Sequence, residues 1–357
     1  MQQFNVIGLM SGTSLDGVDL CYVEFYDVNG RWKYKNCVAQ TIEYNEIWKA
    51  RLREVEHESA LQFCKTHSQY GHYLGALANS FIQQNNLEVD LISSHGHTIF
   101  HQPQHQLTTQ IGDGAAIYAV TGIKTVTDLR CVDVALGGEG APLVPLGERD
   151  LFEDYGMFLN LGGIANISVF HLDGTLFAYD ISPCNMPLNM QCEKYFNTAF
   201  DEAGKFASQG KLNESLLRAL QEIPYFSKKP PKSLGREFIV QEYFPAIENA
   251  SIAKEDRLYT TAYHIANEVS NAINKHAASS RRGSVFVTGG GVYNHFLMGL
   301  IESKCVIPLT LPSRVMIEFK EALIFAYLGV LRMTNKENAL ASVTNAKQNS
   351  MGGALWG

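Results

Sequence analysis

The chain has 357 residues, a formal net charge of −7 from 29 Lys+Arg against 36 Asp+Glu, and 46% hydrophobic residues. That length supplies two cores, and mixed charge without a basic run argues against nucleic acid as the partner. The seven cysteines are scattered and free of CxxC pairs, which fits reduced cytoplasmic thiols better than a disulfide framework or a zinc site. No signal-like segment or membrane-length apolar run is present, so a cytoplasmic protein without a membrane partner is expected.

Three strands open the chain: Phe4 to Met10, Leu20 to Val28 and Trp32 to Gln40, with Asn29-Gly30 as the hairpin turn between the last two. Between the first two lies Ser11-Gly12-Thr13-Ser14-Leu15-Asp16-Gly17-Val18-Asp19. Glycines allow close backbone approach, and successive turn N–H groups form a nest for anions. The Ser and Thr hydroxyls add donors, and Asp16 or Asp19 suits the water shell of Mg2+. This is no Walker loop, because no lysine follows Gly12 and a strand comes next. A tight hairpin whose polar residues only cap the turn is the other reading.

Helices are predicted over 44–56 and 60–86, the second with a core stripe of Tyr70, Tyr73, Leu74, Leu77 and Phe81. A strand from Leu87 to Ser93 then ends at Ser94-His95-Gly96-His97-Thr98. With His101 and His105 this makes four histidines, readable as a metal cluster or, better, as a polar loop at a strand end. Ile111-Gly112-Asp113 opens a helix through Val120, and a strand from Lys124 to Thr127 leads to Asp128-Leu129-Arg130. Arg130 and Asp128 form either a plain salt bridge or a guanidinium that reads a substrate carboxylate, with Asp128 orienting it or binding sugar hydroxyls. Leu136 to Pro142, rich in glycine, reads as a domain crossing or a cleft-lining loop.

The second half restarts the pattern. A strand from Met157 to Asn160 meets Leu161-Gly162-Gly163, a second strand runs from Ile164 to Phe170, and a third covers Leu176 to Tyr179. Strand, glycine turn and strand thus occur twice, a repetition of architecture that would allow two hairpins to grip phosphates. Asp180, before Pro183 and a helix from Met186, reads as a helix N-terminal partner or as a general base. Residues 186–280 are mostly helical, broken at Pro224 to Gly235, where Lys228-Lys229-Pro230-Pro231-Lys232 is a solvated face or a contact to phosphate or adenine. Ser284 to Val287 is a strand running into Gly289-Gly290-Gly291 and a helix, a place for a flat ligand or an anion. The last helix, about 318 to 332, carries Glu321 among apolar residues.

Taken together these residues resemble the anhydro-N-acetylmuramic acid kinases of bacterial peptidoglycan recycling, within the actin, sugar kinase and Hsp70 superfamily. The resemblance rests on Gly8 to Asp19, Ser94 to Thr98, Asp128 to Arg130, Gly137 to Pro142, Asn160 to Ser168, Asp180 with Pro183 and Asn185, Lys232 to Glu237, and Gly289 to Gly291. It implies an α/β protein of two actin-like (ribonuclease H-like) lobes with an interdomain nucleotide cleft. One lobe would span 1–130 plus about 335–357, the other 131–334 with a helical insertion. It also implies ATP with Mg2+, a small-molecule aminosugar substrate and a homodimer. The reaction implied is hydrolytic opening of 1,6-anhydro-N-acetylmuramic acid with phosphorylation of O6.

By the same resemblance, ATP would be held by Gly12, Thr13, Ser14, Leu15, Asp16, Gly17, Val18, Asp19, Asn160, Gly162, Gly163, Asn166, Gly289, Gly290 and Gly291. The sugar would meet His97, Thr98, Asp128, Arg130, Gly140 and Glu321, and Asp180 would activate the attacking water. The sequence departs from the family pattern at Ile181-Ser182-Pro183-Cys184-Asn185, at Asn189, at His97 where glutamine is usual, and at Glu139 where glutamine is usual. A diverged paralogue acting on another cell-wall aminosugar, or a non-catalytic nucleotide or muropeptide sensor, stand as the other readings.

Overall fold

Strands of two sheets organise the computed structural model, which describes residues 2–12, 15–230 and 232–357. In chain order they are β1 (Gln3–Ser11), β2 (Gly17–Val28), β3 (Arg31–Glu43), β4 (Leu91–Gln102), β5 (Leu107–Ile111) and β6 (Thr125–Thr127). There follow β7 (Met157–Leu161), β8 (Ile164–Phe170), β9 (Leu176–Pro183), β10 (Val285–Thr288), β11 (Leu309–Thr310) and β12 (Ala354–Trp356). The chain folds as two units: one runs to Glu153 and takes back Phe319–Gly357, and the other is Asp154–Glu318.

The first unit holds the sheet β12-β6-β4-β1-β2-β3, with β5 paired to β4. β1 is antiparallel to β2 and parallel to β4. Covered on both faces, its middle is continuously buried instead of alternating. The β2–β3 turn has positive φ at both Asn29 and Gly30, the conformation that an Asn-Gly hairpin supplies cheaply. Helix Ala60–Asn85 starts at Ser59, whose Oγ accepts from the Gln62 N–H, and ends at Asn86 in the left-handed region. Its Tyr70, Leu74, Ala78 and Phe81 pack with Ile7, Leu9, Leu20 and Ile92, so the aromatic stripe is core.

The second unit holds the sheet β11-β10-β7-β8-β9. Helix Lys254–His276 buries Leu258, Ala262, Ile265, Val269 and Ile273 in its core, and Leu216, Leu220, Tyr225, Tyr243 and Ile247 form a smaller apolar cluster. Each sheet therefore has one plan. An antiparallel run of three strands carries its parallel extension beside its first strand: β3-β2-β1 then β4 and β6, and β9-β8-β7 then β10 and β11.

Several sequence boundaries move. The crossings expected at 130/131 and near 335 lie at 153/154 and 318/319. The glycine stretch after Leu136 is no linker: the Asp133 carboxylate accepts from the Gly140 N–H at 2.8 Å and from Thr344 Oγ1 at 2.7 Å, which ties it into the first unit. Ser94 to Thr98 belongs to β4 and not to a loop, because β5 extends the pairing through His97 and Thr98. Asp180 lies inside β9, which continues to Pro183, and not at a strand end. The helix expected over about 318 to 332 begins at Arg314 and ends at Met333, and a short helix, Ala341–Thr344, follows it. All seven cysteines are free, and among the described residues no helix is long and apolar enough to cross a membrane.

Candidate active site

In the first unit the site grows from β4 and the end of β6. Arg130 donates from Nε to His95 Nε2 at 2.9 Å and from Nη1 to the Gly140 carbonyl at 2.7 Å, and its guanidinium lies 5.7 Å over the Phe325 ring. His95 Nδ1 donates to the Gly96 carbonyl at 2.9 Å, so Nε2 carries the lone pair that Arg130 uses. Burial pushes His95 well below the usual histidine range, and the Arg130 charge adds to the effect. The same burial lowers Arg130 to about 10, against the pull of Glu321 and Asp133, which leaves it cationic at neutral pH.

Asp128 does not orient Arg130. It sits at positive φ and accepts from Thr127 Oγ1 at 2.6 Å, and no ion pair joins the two among the described residues; His95 and Gly140 do the holding. Sequence reasoning missed His95 in this role, although its place on the Ser94–Thr98 motif was the available signal. Glu321 shows solvent-exposed surface on helix Arg314–Met333, yet crowding by the protein raises its carboxyl, with Lys320 and Arg130 pulling the other way. Thr98 Oγ1 accepts from Gln110 Nε2 at 3.3 Å. His97 Nδ1 is 2.8 Å from Ser11 Oγ.

At the glycine turn of the same unit, Thr13 and Ser14 lie outside the described residues. Leu15 adopts positive φ, and the Asp16 carbonyl accepts from the Tyr44 N–H at 3.2 Å. Gly17 abuts the Ile42 carbonyl, where a Cβ would collide. Val18 is buried, and the Asp19 carboxylate accepts from Thr41 Oγ1 at 2.5 Å. Among the described residues no three of His, Cys, Asp and Glu converge as a metal site, so the four histidines form no cluster. Hard oxygen donors at Asp16 and Asp19 suit a hydrated Mg2+.

In the second unit, strand register sets Thr288, Asn160, Asn166 and Asp180 in one row across β10, β7, β8 and β9. Asp180 Oδ2 accepts from the Leu234 N–H at 2.8 Å, its N–H donates to the Lys232 carbonyl at 3.0 Å, and its carbonyl accepts from Tyr225 OH at 2.6 Å. Tyr225, Lys232 and Leu234 thus pack onto β9. Of the basic stretch read as a solvated face or a contact to phosphate or adenine, Lys232 meets β9 through its backbone, with its Nζ 4.3 Å over the Tyr225 ring. Burial raises the Asp180 carboxyl, and the Leu234 N–H opposes this only in part.

The glycines of this unit have separate reasons. Gly289 has φ +88, and a Cβ there would meet Asn160 Oδ1 at 2.5 Å; at Gly291 it would meet Leu161 Cβ at 2.7 Å. Both let the end of β10 approach β7. Gly290 is different, since a Cβ there meets only Asn185 Nδ2 at 3.9 Å. No helix starts at these glycines: a 3-10 turn, Gly290–Tyr293, intervenes, and the following helix is capped by Asn294 Oδ1, which accepts from the Leu297 N–H. The α-helix N-terminus expected at these glycines therefore lies at Asn294. The Gly162 and Gly163 carbonyls accept from the N–H groups of Cys184, Asn185 and Met186, and Asn185 Nδ2 donates to the Leu161 carbonyl at 2.9 Å.

Two α/β units on one strand plan define the duplicated, actin-like class of protein. The chain belongs to the anhydro-N-acetylmuramic acid kinase family, whose model matches residues 4–357. It is 34% identical to an anhydro-N-acetylmuramic acid kinase of Clostridioides difficile over 96% of this chain and 95% of that one. It is 32% identical to one from Pseudoalteromonas translucida over 96% and 94%, and 34% identical to one from Xanthomonas campestris over 98% and 96%. Among solved structures, the activator of the 2-hydroxyisocaproyl-CoA dehydratase from Clostridium difficile with bound ADPNP is similar at TM-score 0.45 and 12% identity, over 93% of this chain and 96% of that one. Component A of the (R)-2-hydroxyglutaryl-CoA dehydratase of Acidaminococcus fermentans gives 0.47 and 10%, over 93% and 99%.

Proposed function

We propose that the protein is an ATP-dependent kinase that opens 1,6-anhydro-N-acetylmuramic acid with water and phosphorylates its O6, giving N-acetylmuramic acid 6-phosphate and ADP. Family membership over residues 4–357 supports the reaction class. The observation that carries the mechanism is Asp180: a part-buried carboxylate, raised by desolvation and fixed by the Leu234 N–H, suits a general base. Asp180 takes a proton from water as its oxygen bonds to C1. The C1–O6 bond breaks, and O6 attacks the γ-phosphorus as the bond to the β-phosphate oxygen breaks.

Arg130 is proposed to take the lactyl carboxylate of the sugar. His97, Thr98, Asp128, Gly140 and Glu321 complete the sugar contacts. Gly12 to Asp19, with Asn160, Gly162, Gly163 and Asn166, are assigned to the ATP phosphates, and Gly289 to Gly291 to its nucleoside. The fit is chemical: Thr288 Oγ1 is buried without a partner among the described residues, and Gly290 is open on its Cβ side. Mg2+, when bound, neutralises phosphate charge, and Asp16 and Asp19 would hold its water shell. A cytoplasmic homodimer completes the proposal. The test is incubation with γ-labelled ATP and the anhydrosugar in ¹⁸O water. Label on the sugar with ¹⁸O at C1 is expected; no transfer, or transfer only to N-acetylglucosamine, overturns the reading.

A further inference from the structure

Four buried side chains of the first unit meet at one oxygen. Ser11 Oγ lies 2.5 Å from Tyr44 OH, 3.0 Å from Tyr70 OH and 2.8 Å from His97 Nδ1, and the two tyrosine hydroxyls are 2.5 Å apart. Ser11 is 3% exposed, Tyr44 3%, Tyr70 0% and His97 3%. Separate parts of the fold bring them there: Ser11 ends β1 and is in register with His97 on β4, Tyr44 follows β3, and Tyr70 lies on helix Ala60–Asn85.

Counting hydrogens decides who donates. Four bonds need four hydrogens, and a serine and two tyrosines bring one each. The fourth must come from His97 Nδ1. With Tyr70 donating to Ser11, Ser11 donates to Tyr44 and Tyr44 to Tyr70, which closes a ring; the second acceptor site of Ser11 Oγ then takes the His97 Nδ1–H. A neutral imidazole with its hydrogen on Nδ1 bears a lone pair on Nε2. Burial lowers His97 to about 4, which keeps the ring neutral at physiological pH. Nδ1 is the ring nitrogen with a partner among the described residues.

We infer that Ser11, Tyr44 and Tyr70 fix His97 as the Nδ1–H tautomer, so that Nε2 accepts a hydrogen bond from a hydroxyl or amide N–H of the bound aminosugar. The three hydroxyl residues are positioning residues that act through His97. A lone pair repels a carboxylate, so the anionic part of the sugar is left to Arg130, whose Nη2 makes no bond to His95 or Gly140. The identity of the ligand rests on the kinase reading above; the tautomer does not.

The deciding measurement is a long-range ¹H–¹⁵N correlation spectrum of ¹⁵N-histidine-labelled protein at pH 7, with His97 assigned by its loss in His97→Gln. A protonated Nδ1 and an unprotonated Nε2 are expected, with Nε2 shifting when the anhydrosugar is added. An Nε2–H tautomer or an imidazolium overturns the inference. Tyr44→Phe leaves two bonds and two hydroxyl hydrogens, so His97 is released: the Nε2–H form should grow and the sugar KM rise about tenfold with kcat kept. An unchanged tautomer in that variant overturns the positioning role. His97→Gln, which keeps an acceptor, should hold the sugar KM within about threefold, whereas His97→Leu should raise it about tenfold; equal rises overturn the acceptor role. The spectrum of the free protein needs no substrate, so inactivity on the anhydrosugar would overturn the kinase reading and not the tautomer.

Discussion

The Leu234 N–H reaches across to Asp180 Oδ2 at 2.8 Å, a backbone donor that tempers a carboxyl raised by burial. A base held this way is expected to dominate turnover. Asp180→Asn should lower kcat at least ~10²-fold, the scale of a lost general base, with ATP affinity by calorimetry unchanged. Equal turnover would remove Asp180 from that role. The wild-type acid limb of kcat should lie above the ordinary aspartate range.

Stability gives an independent readout of the same group. Because the folded form of Asp180 binds its proton more tightly than the unfolded chain, its stabilising contribution is full below the unfolded pKa. It is lost as pH rises through the folded value. Asp180→Asn should therefore be at least as stable as the parent at neutral pH, with the gap closing as pH falls toward the unfolded aspartate value. Thermal melts at several pH values measure this, and a variant less stable at pH 7 would contradict it.

Arg130 has committed Nε to His95 and one Nη1 hydrogen to Gly140. A lysine cannot make both bonds and still offer a planar pair of donors to a carboxylate. Arg130→Lys is thus expected to raise the sugar KM by about tenfold or more at unchanged ATP KM. Steady-state kinetics with each substrate varied separately checks it, and a matching rise in both constants would point to a general structural defect.

What the sequence made legible follows from the range of the signals. Hairpins such as Asn29-Gly30 and the buried face of helix Ala60–Asn85 are local, and the structure has them. Contacts between distant segments were not legible. Nothing in periodicity says that His95, 35 residues away, holds Arg130, or that the backbone of residues 232–234 would clasp Asp180. The polar stretch Ser94 to Thr98 looked like a loop because composition is blind to pairing with β5, which the sequence did not announce. Tyr70 read correctly as core by its spacing, while the bond from its hydroxyl to Ser11 had no local signature.

Lys320 and Glu148 form a buried ion pair at 2.6 Å, with side chains 6% and 3% exposed. Removing Lys320 leaves the Glu148 carboxylate in the interior without this partner, which costs about 3–5 kcal/mol, whereas replacing both with apolar groups can be neutral. Lys320→Ala should therefore lower the denaturation midpoint strongly, and Glu148→Leu with Lys320→Met should recover most of the loss. A double variant as unstable as Lys320→Ala would show that the pair itself contributes net stability over an apolar replacement.

Two glycines predict opposite signs for the same substitution. At Gly8 on β1 a Cβ would collide with the Ala322 carbonyl oxygen and lie 3.0 Å from the Ala326 N, both backbone atoms of a helix with little freedom to withdraw. Gly8→Ala should therefore destabilise the first unit by about 1–3 kcal/mol or more, as overpacking does. Gly299 stands exposed inside helix His295–Glu302, and nothing lies within 4 Å of a Cβ built on it. There alanine restricts the unfolded chain and favours the helix, so Gly299→Ala should stabilise by about 0.4–1 kcal/mol. Urea unfolding of the two variants side by side tests both. A stable Gly8→Ala protein would mean that the close packing of β1 against the helix Arg314–Met333 yields to a methyl group, and that Gly8 is there for another reason.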